Sequence, residues 1–313
     1  MEKKGILGLG NALTDIIVNV SEDNIKELNL KKGTAIVSTC CDMDSLEKIL
    51  QEKTIECIPG GSPANTIANA SILGAECGLI GTVGNDKIGD DYHADLKNNK
   101  VNDHIYTEKG KSGRCYILVT PDCERTMIAD IGVSGNFKIP FYKIPEYKIF
   151  HTSAYELQNN HEKTMEALEY AKRCNTEISF DLADSALIKK SKKAVMNASK
   201  YANIVFANIE EAEAFTGLKC RREIARALLD LYEISVVKMG KDGSWIGSRK
   251  GMKCIGIEPH KAKVVNTNGA GDAYSAGFLF QYLNKKSLCS CGDYGSAVSA
   301  KICEKKGARL NSE

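Results

Sequence analysis

The chain has 313 residues, is 43% hydrophobic, and carries a formal net charge of +2 from 42 basic and 40 acidic residues. That size supports one large domain or a core domain with an appendage, and the near-neutral balance supplies no broad field for nucleic acid or for an anionic membrane. The apolar patch at the start is too short for a signal peptide, no apolar run reaches bilayer length, and the twelve cysteines fall in no zinc-like spacing, so a cytoplasmic protein with free thiols and no structural metal is expected.

Gly5–Leu9 reads as an apolar strand that ends at Gly10-Asn11. The G-L-G-N-A-L that follows is a fragment of a dinucleotide fingerprint, but Leu13 stands where the third glycine belongs and no helical pattern follows directly, so a Rossmann cofactor is set aside. Ile16, Val18 and Val20 alternate as a strand, with Asp15 at its head. A carboxylate there can accept two hydrogen bonds from sugar hydroxyls, or it can cap a turn; the local sequence leaves both open.

Ser21–Leu30 reads as a short capped helix, Thr34–Thr39 as a strand and Asp44–Leu50 as a second helical piece. The run Gly60-Gly61-Ser62-Pro63 reads as a hinge and a helix start, with Ser62 as N-cap, Pro63 at the first helical position and Gly74 at the end. Gly60 and Gly61 let backbone approach a ligand closely, and Asn65, one turn in, can donate to and accept from a hydroxyl pair. The alternative is a capped core helix whose Asn faces solvent.

Cys77–Val83 is an apolar strand and Lys87–Lys97 a helix. Ile105–Tyr106, Cys115–Thr120 and Thr126–Asp130 are short strands with no long helix between them, the last two joined by a hairpin loop. With Ile16–Val20 and Thr34–Ser38 they are expected to form a small sheet outside the main core, built from about 15–39 and 104–131. Arg125, at a loop-to-strand edge, is either solvated or able to swing onto a phosphate.

From Tyr147 strand and helix alternate. Strands at Lys148–Thr152, Glu177–Leu182, Ile204–Ala207 and Ser235–Met239 are separated by helices at His161–Arg173, Ser185–Tyr201, Glu210–Phe215 and Arg222–Leu231. That pattern is a doubly wound α/β fold with a mostly parallel sheet flanked by helices. A hairpin at Ser244–Ile246 and Met252–Gly256 and a last helix at Tyr294–Lys305 complete it. No repeat or linker divides the chain, so a single domain over 1–313 is expected, with the small sheet inserted in it.

Ligands of such sheets lie beyond the carboxyl ends of the strands. That places Asn208 and Glu211 beyond one strand, Gly240 beyond the next, and Asn266 to Asp272 beyond an expected strand start at Val264-Val265, where one nucleotide can touch all three turns. The last stretch, V-V-N-T-N-G-A-G-D-A-Y-S-A-G-F-L-F-Q-Y-L, runs a glycine turn into a helix whose free N–H groups would converge on an anion. A carboxylate at Asp272 would repel a phosphate, unless its task is to take a proton from the hydroxyl that attacks that phosphate. The other reading is an N-cap Asp after a glycine turn, the commoner one for an isolated G-x-G-D.

Three ordered motifs resemble one family, the ribokinase-like (PfkB) carbohydrate and nucleoside kinases. They are Gly60-Gly61-Ser62-Pro63-Ala64-Asn65, Asn208-Ile209-Glu210-Glu211 and Asn266-Thr267-Asn268-Gly269-Ala270-Gly271-Asp272. The resemblance covers nearly the whole chain and implies transfer of the ATP γ-phosphate to a hydroxyl of a sugar or nucleoside. On it, Asp272 is the general base and the N–H groups of Gly269, Ala270 and Gly271 form the anion hole. Asp15, Gly60, Gly61 and Asn65 hold the acceptor, and Arg125 is a phosphate ligand. Asn208, Gly240, Thr267 and Asn268 lie with the nucleotide, and Glu211 helps place Mg²⁺ through water. The small sheet becomes a lid, and its exposed edges are compatible with a monomer or a homodimer. The turn E-R-T-M at Glu124–Met127 and the Ser after Gly60-Gly61 lean toward the adenosine kinase branch, with a ribose- or fructose-type sugar as the second acceptor class. Asn266 departs from the family's Asp, which in some relatives helps hold a monovalent cation such as K⁺; its carbonyl can still ligate, and potassium activation stays open.

Overall fold

The computed structural model describes residues 3–51 and 53–310; the outermost residues of the N-terminal patch and of the 1–313 domain bounds lie outside them. In chain order the elements are β1 (Lys4–Leu9), β2 (Leu13–Asn19), α1 (Glu22–Glu27), β3 (Ala35–Val37), α2 (Met43–Gln51), β4 (Ile55–Pro59), α3 (Ser62–Ile72), β5 (Cys77–Gly84), α4 (Lys87–Asn98), β6 (Asn102–Glu108), β7 (Gly113–Val119) and β8 (Arg125–Asp130). There follow β9 (Tyr147–Ser153), α5 (Glu156–Asn159), α6 (His161–Arg173), β10 (Glu177–Asp181), α7 (Ser185–Ser199), β11 (Ile204–Asn208), α8 (Ile209–Thr216), α9 (Arg221–Leu231), β12 (Ile234–Lys238), β13 (Ser244–Ser248), β14 (Lys253–Ile257), α10 (Ala270–Leu283) and α11 (Leu288–Cys303).

Nine strands form one sheet in the order β14-β13-β12-β11-β10-β9-β1-β5-β6, parallel except for the β13–β14 hairpin at one edge. The chain winds outward from β1 through β5 to β6, then crosses to β9 and winds the other way. The switch point therefore lies between β1 and β9, and crevices at such points are where α/β sheets bind ligands. One face of the sheet packs Phe150, Phe180, Val205 and Val237 against α6, α7, α8 and α9. The other packs Ile6, Leu79, Phe206 and Val236 against α3, α4 and α10. Strands buried on both faces read as continuous apolar runs, which is why β5 and β11 are legible in the sequence.

A second sheet, β3-β8-β7-β2-β4, stands apart from the first. Its Ile16, Val18, Tyr116, Leu118 and Ile128 pack on Ile25, Leu46 and Ile49 of α1 and α2. Two expectations about it are corrected. Ile105–Tyr106, expected here, lies in β6, which pairs with β5 as the edge of the large sheet; its mixed polar sequence suits any edge strand and does not say which sheet it joins. Ile55–Pro59, to which the sequence pattern assigns no element, is an edge strand antiparallel to β2.

Two further expectations fail near the glycine turn. Val264 and Val265 form no strand and are 63% and 60% exposed. The segment is held instead by the end of α11, where the Cys303 carbonyl accepts from the N–H groups of Val265 (2.7 Å) and Asn266 (3.1 Å). The last helix starts at Leu288 rather than Tyr294, capped by Ser287, whose hydroxyl accepts from the Ser290 N–H. Among the described residues no helix is long and apolar enough to cross a membrane, and all twelve cysteines are free thiols.

Candidate active site

The helix α3 begins where the chain turns at Gly61, which has φ +92 and would set a Cβ 2.4 Å from the Asn11 carbonyl oxygen. Backbone strain and overlap both act there, so Gly61→Ala is expected to lower stability by about 3 kcal/mol. Gly240 also has a left-handed φ of +57, but no atom lies within 4 Å of its Cβ position; Gly240→Ala should cost only about 1 kcal/mol. Denaturant midpoints of the two variants check the contrast, and equal losses would contradict it.

Ser62 is the first residue of α3, not its cap; Gly61 occupies the cap position and gives no side-chain bond. The Ser62 hydroxyl is spent elsewhere. It donates to Asp272 Oδ1 at 2.7 Å, while Asn65 Nδ2 donates to Asp272 Oδ2 at 3.1 Å. The Thr66 hydroxyl reaches the Asp272 carbonyl at 3.3 Å. Asp272 itself is the third residue of α10. The cap position is Gly269, in the left-handed region, and no side chain caps the helix. The reading of Asp272 as an N-cap is thereby removed: its carboxylate is turned to α3.

Burial is the main reason the Asp272 carboxyl is pushed up to about 7; the donors Ser62 and Asn65 and the Lys238 ammonium act against it, and the Asp181 carboxylate adds to it. A carboxyl so placed exchanges a proton near neutrality.

Asp181 and Lys238 were not singled out from the sequence. Each closes an apolar strand, β10 and β12, at the carboxyl edge of the sheet. A charged residue ending such a strand is a signal that could have found them. Lys238 Nζ donates to Asp181 Oδ2 at 3.0 Å, and both side chains are nearly buried. Burial works against the ammonium, but the Asp181 and Glu211 carboxylates more than offset it and hold the amine above its ordinary value. A Cβ on Gly271 would lie 3.1 Å from Lys238 Nζ, so the bare backbone at 271 leaves room beside a fixed positive charge.

The glycine turn is ordered by its own polar groups. Asn266 Oδ1 accepts from the Asn268 N–H at 2.8 Å, and the Thr267 carbonyl accepts from the Ala270 N–H at 3.2 Å. The N–H groups of Gly271 and Asp272 have no acceptor among the described residues and mark the positive end of α10. Asn208 pairs with Lys238 across β11 and β12. Asn208 and Glu211 form a reciprocal cap on α8, with Glu211 Oε2 accepting from the Asn208 N–H at 2.8 Å and Asn208 Oδ1 accepting from the Glu211 N–H at 2.8 Å. Burial, with Asp181 second, pushes the Glu211 carboxyl up to about 7.

Asp15 reaches the same place from the small sheet. A Cβ on Gly60 would stand 3.0 Å from Asp15 Cγ. Burial pushes the Asp15 carboxyl up to about 6, while the nearby Arg309 and Arg125 charges hold it down. Arg125 lies on β8, on the side of the small sheet that Asp15 shares. Asp15, Gly60, Gly61, Asn65 and Asp272 therefore form one group, and Asn208, Glu211, Lys238 and Gly271 an adjoining one. Gly240 lies two residues beyond Lys238, and the exposed Thr267 and the half-buried Asn268 form the outer rim of the turn.

The chain matches the family model described as pfkB family carbohydrate kinase over residues 28–313. It is 32% identical over 246 residues to an uncharacterized sugar kinase of Archaeoglobus fulgidus, covering 76% of this chain and 96% of that protein. It is 25% identical to adenosine kinase 2 of Arabidopsis thaliana, over 96% of this chain and 94% of the relative. The fold is that of the solved adenosine kinase of Sinorhizobium meliloti, with a TM-score of 0.88 at 24% identity over 98% and 96% of the two chains.

Proposed function

The chain is a member of the pfkB family of carbohydrate kinases, a phosphotransferase acting on an alcohol group, and from that premise we propose that it transfers the γ-phosphate of ATP to a hydroxyl of an adenosine-like nucleoside. The observation that carries the assignment of roles is the Asp272 carboxylate, gripped by Ser62 and Asn65 between an acceptor-side group and a cationic, N–H-lined pocket.

In this reading the acceptor hydroxyl lies against Asp272, with Asp15 and Asn65 on the sugar's other hydroxyls. Asp272 takes the hydroxyl proton as the oxygen bonds to the γ-phosphorus, and the bond from that phosphorus to the bridging oxygen breaks to release ADP. Lys238 and the first-turn N–H groups of α10 offset charge on the transferred phosphoryl, a role worth several kcal/mol when donors are fixed in place. The pocket fits a polyphosphate: a fixed ammonium stands beside a glycine whose side chain would fill the space. Among the described residues no cluster of three His, Cys, Asp or Glu is arranged to grip a metal. Mg²⁺ is accordingly assigned to the nucleotide's phosphates, where it would neutralise their charge, and Glu211 would reach it through water. The small sheet acts as the lid that excludes water, which would otherwise take the phosphoryl group.

A nucleoside is favoured by the face of the lid that carries Asp15. Leu13 and Ile17 share that face by strand alternation, and Met127 joins them through Ile117. That apolar surface beside a hydroxyl-binding carboxylate suits a base attached to a ribose. A sugar acceptor is the second reading, favoured by the 32% identity to the sugar kinase. The test is ADP release from ATP and Mg²⁺ with a panel of nucleosides and free sugars. Adenosine or a close analogue is expected to give the highest kcat/KM; a free sugar outranking every nucleoside would overturn the acceptor assignment, and no acceptor-dependent ADP from any member would overturn the reaction.

The base must be ionised to act. With its carboxyl pushed up to about 7 by burial in the free protein, kcat/KM for the acceptor should fall as pH drops through neutrality and level off above it. A flat kcat/KM profile across that range would remove Asp272 from the role.

A further inference from the structure

The C-terminal segment returns across the molecule to the residues around Asp272. Asn69 of α3 holds it at two points: Asn69 Nδ2 donates to the Ala308 carbonyl at 3.0 Å, and Asn69 Oδ1 accepts from the Leu310 N–H at 2.7 Å. Arg309, between them, is delivered into the interior and is 9% exposed. Its Nε–H donates to Asn65 Oδ1 at 3.0 Å, its Nη1 pairs with the Asp95 carboxylate of α4, and its Nη2 approaches the Gly60 carbonyl at 3.4 Å. The guanidinium also lies over the Tyr92 ring, 5.9 Å from the centroid.

These contacts decide which way the Asn65 amide faces. A carboxamide is almost symmetric in shape, and turned over it would fill the same space with its oxygen against Asp272. A guanidinium only donates and an ionised carboxylate only accepts. With Arg309 on one side and Asp272 on the other, a single orientation satisfies both: oxygen to Arg309, nitrogen to Asp272. A lysine in this place would supply the charge but not a planar donor fixed by a second carboxylate.

We propose that Arg309 is a positioning residue for phosphoryl transfer: anchored by Asp95, it locks the Asn65 amide so that both oxygens of the Asp272 carboxylate are held, one by Ser62 and one by Asn65. This rests on the reading of Asp272 as the base. Arg309 touches no reacting atom in this arrangement; it acts on Asp272 through Asn65, and its charge separately holds down the Asp15 carboxyl, which stays in place in every variant.

The test uses the full-length protein with Arg309→Gln, Arg309→Lys and Asn65→Ala, and the double variant Arg309→Gln/Asn65→Ala. The first readout needs no substrate: the ¹³C carboxyl titration of Asp272, assigned by its loss in Asp272→Asn. Asp181 and Lys238 on the sheet and Tyr155 beyond β9 also act on or feel this carboxyl, and all three stay in place in every variant. Both Arg309 variants are expected to move the titration up by about one pH unit, the worth of one donor to a charged acceptor, and to lower kcat about tenfold with the KM for ATP unchanged. In the Asn65→Ala background, Arg309→Gln should change kcat less than about twofold. An unmoved titration, full recovery by Lys, or losses that multiply in the double variant would overturn the proposal and leave Arg309 as a packing residue for the C-terminal segment. If Arg309→Gln melts early because Asp95 is stranded, the same readings are taken on Asp95→Asn/Arg309→Gln. Because the titration is read without an acceptor, failure of the kinase reading and failure of this inference give different results.

Discussion

Asp272→Asn is expected to lower kcat by about 10³-fold while leaving the affinity for ATP nearly unchanged. The substitution keeps shape and leaves an oxygen to accept from Ser62 or Asn65, so the fold and the α3–α10 contact should survive. What is lost is the ability to take a proton. The Asp272 carboxylate is bonded to Ser62 and Asn65 of α3, while Lys238 is bonded to Asp181, which is why nucleotide binding should be spared. The variant should also lose the fall in kcat/KM below neutrality, since the group responsible is gone. A variant that keeps wild-type turnover would return Asp272 to a merely structural part in the α3–α10 contact.

Lys238→Met carries the second large effect, and it acts on two properties at once. Removing the ammonium takes away the fixed charge beside Gly271, and kcat/KM for ATP should fall by about 10²- to 10³-fold. It also strands the Asp181 carboxylate in a nearly buried place, and breaking one half of such a pair costs about 3–5 kcal/mol. The double variant Asp181→Asn/Lys238→Met separates the two effects. Replacing both charges should recover most of the stability, because a buried pair as a whole contributes little net energy, but it should recover none of the activity. Measured by denaturant melts and ATP kinetics together, recovery of both would show that Lys238 serves the fold alone.

Much of the core was legible because strands buried on both faces leave apolar runs and helices leave a period. The alternation from Tyr147 onward yielded β9 to β12 and the helices between them to within two residues at each end, apart from the single turn α5, which it missed. Elements that failed are those whose sequence carries no such imprint. The polar edge strand Asn102–Glu108 has no side that marks it for one sheet. Val264-Val265 has strand-forming residues, yet the N–H groups of Val265 and Asn266 find the Cys303 carbonyl first. At the candidate site, Asp272, Asn65, Gly61 and Asn208 could be singled out in the sequence because glycine turns and helix starts have local signatures. Ser62 was given the wrong task, since a hydroxyl at a helix start ordinarily caps it, and here a buried carboxylate from 210 residues away is the stronger acceptor. Arg309 had no signature: its meaning depends on Asn65 and Asp95, both more than 200 residues earlier in the chain.

The central claim is that Asp272 accepts the proton of the hydroxyl to which the γ-phosphoryl group moves. It is tested most directly by single-turnover transfer of radiolabelled γ-phosphate from ATP to the best acceptor of the panel, with ATP binding measured on the same wild-type and Asp272→Asn samples. The account predicts labelled acceptor from the wild type, almost none from the variant, and equal ATP binding by both. Equal labelling of the acceptor by the two proteins, or release of labelled inorganic phosphate by the wild type at a rate that no acceptor changes, would contradict it.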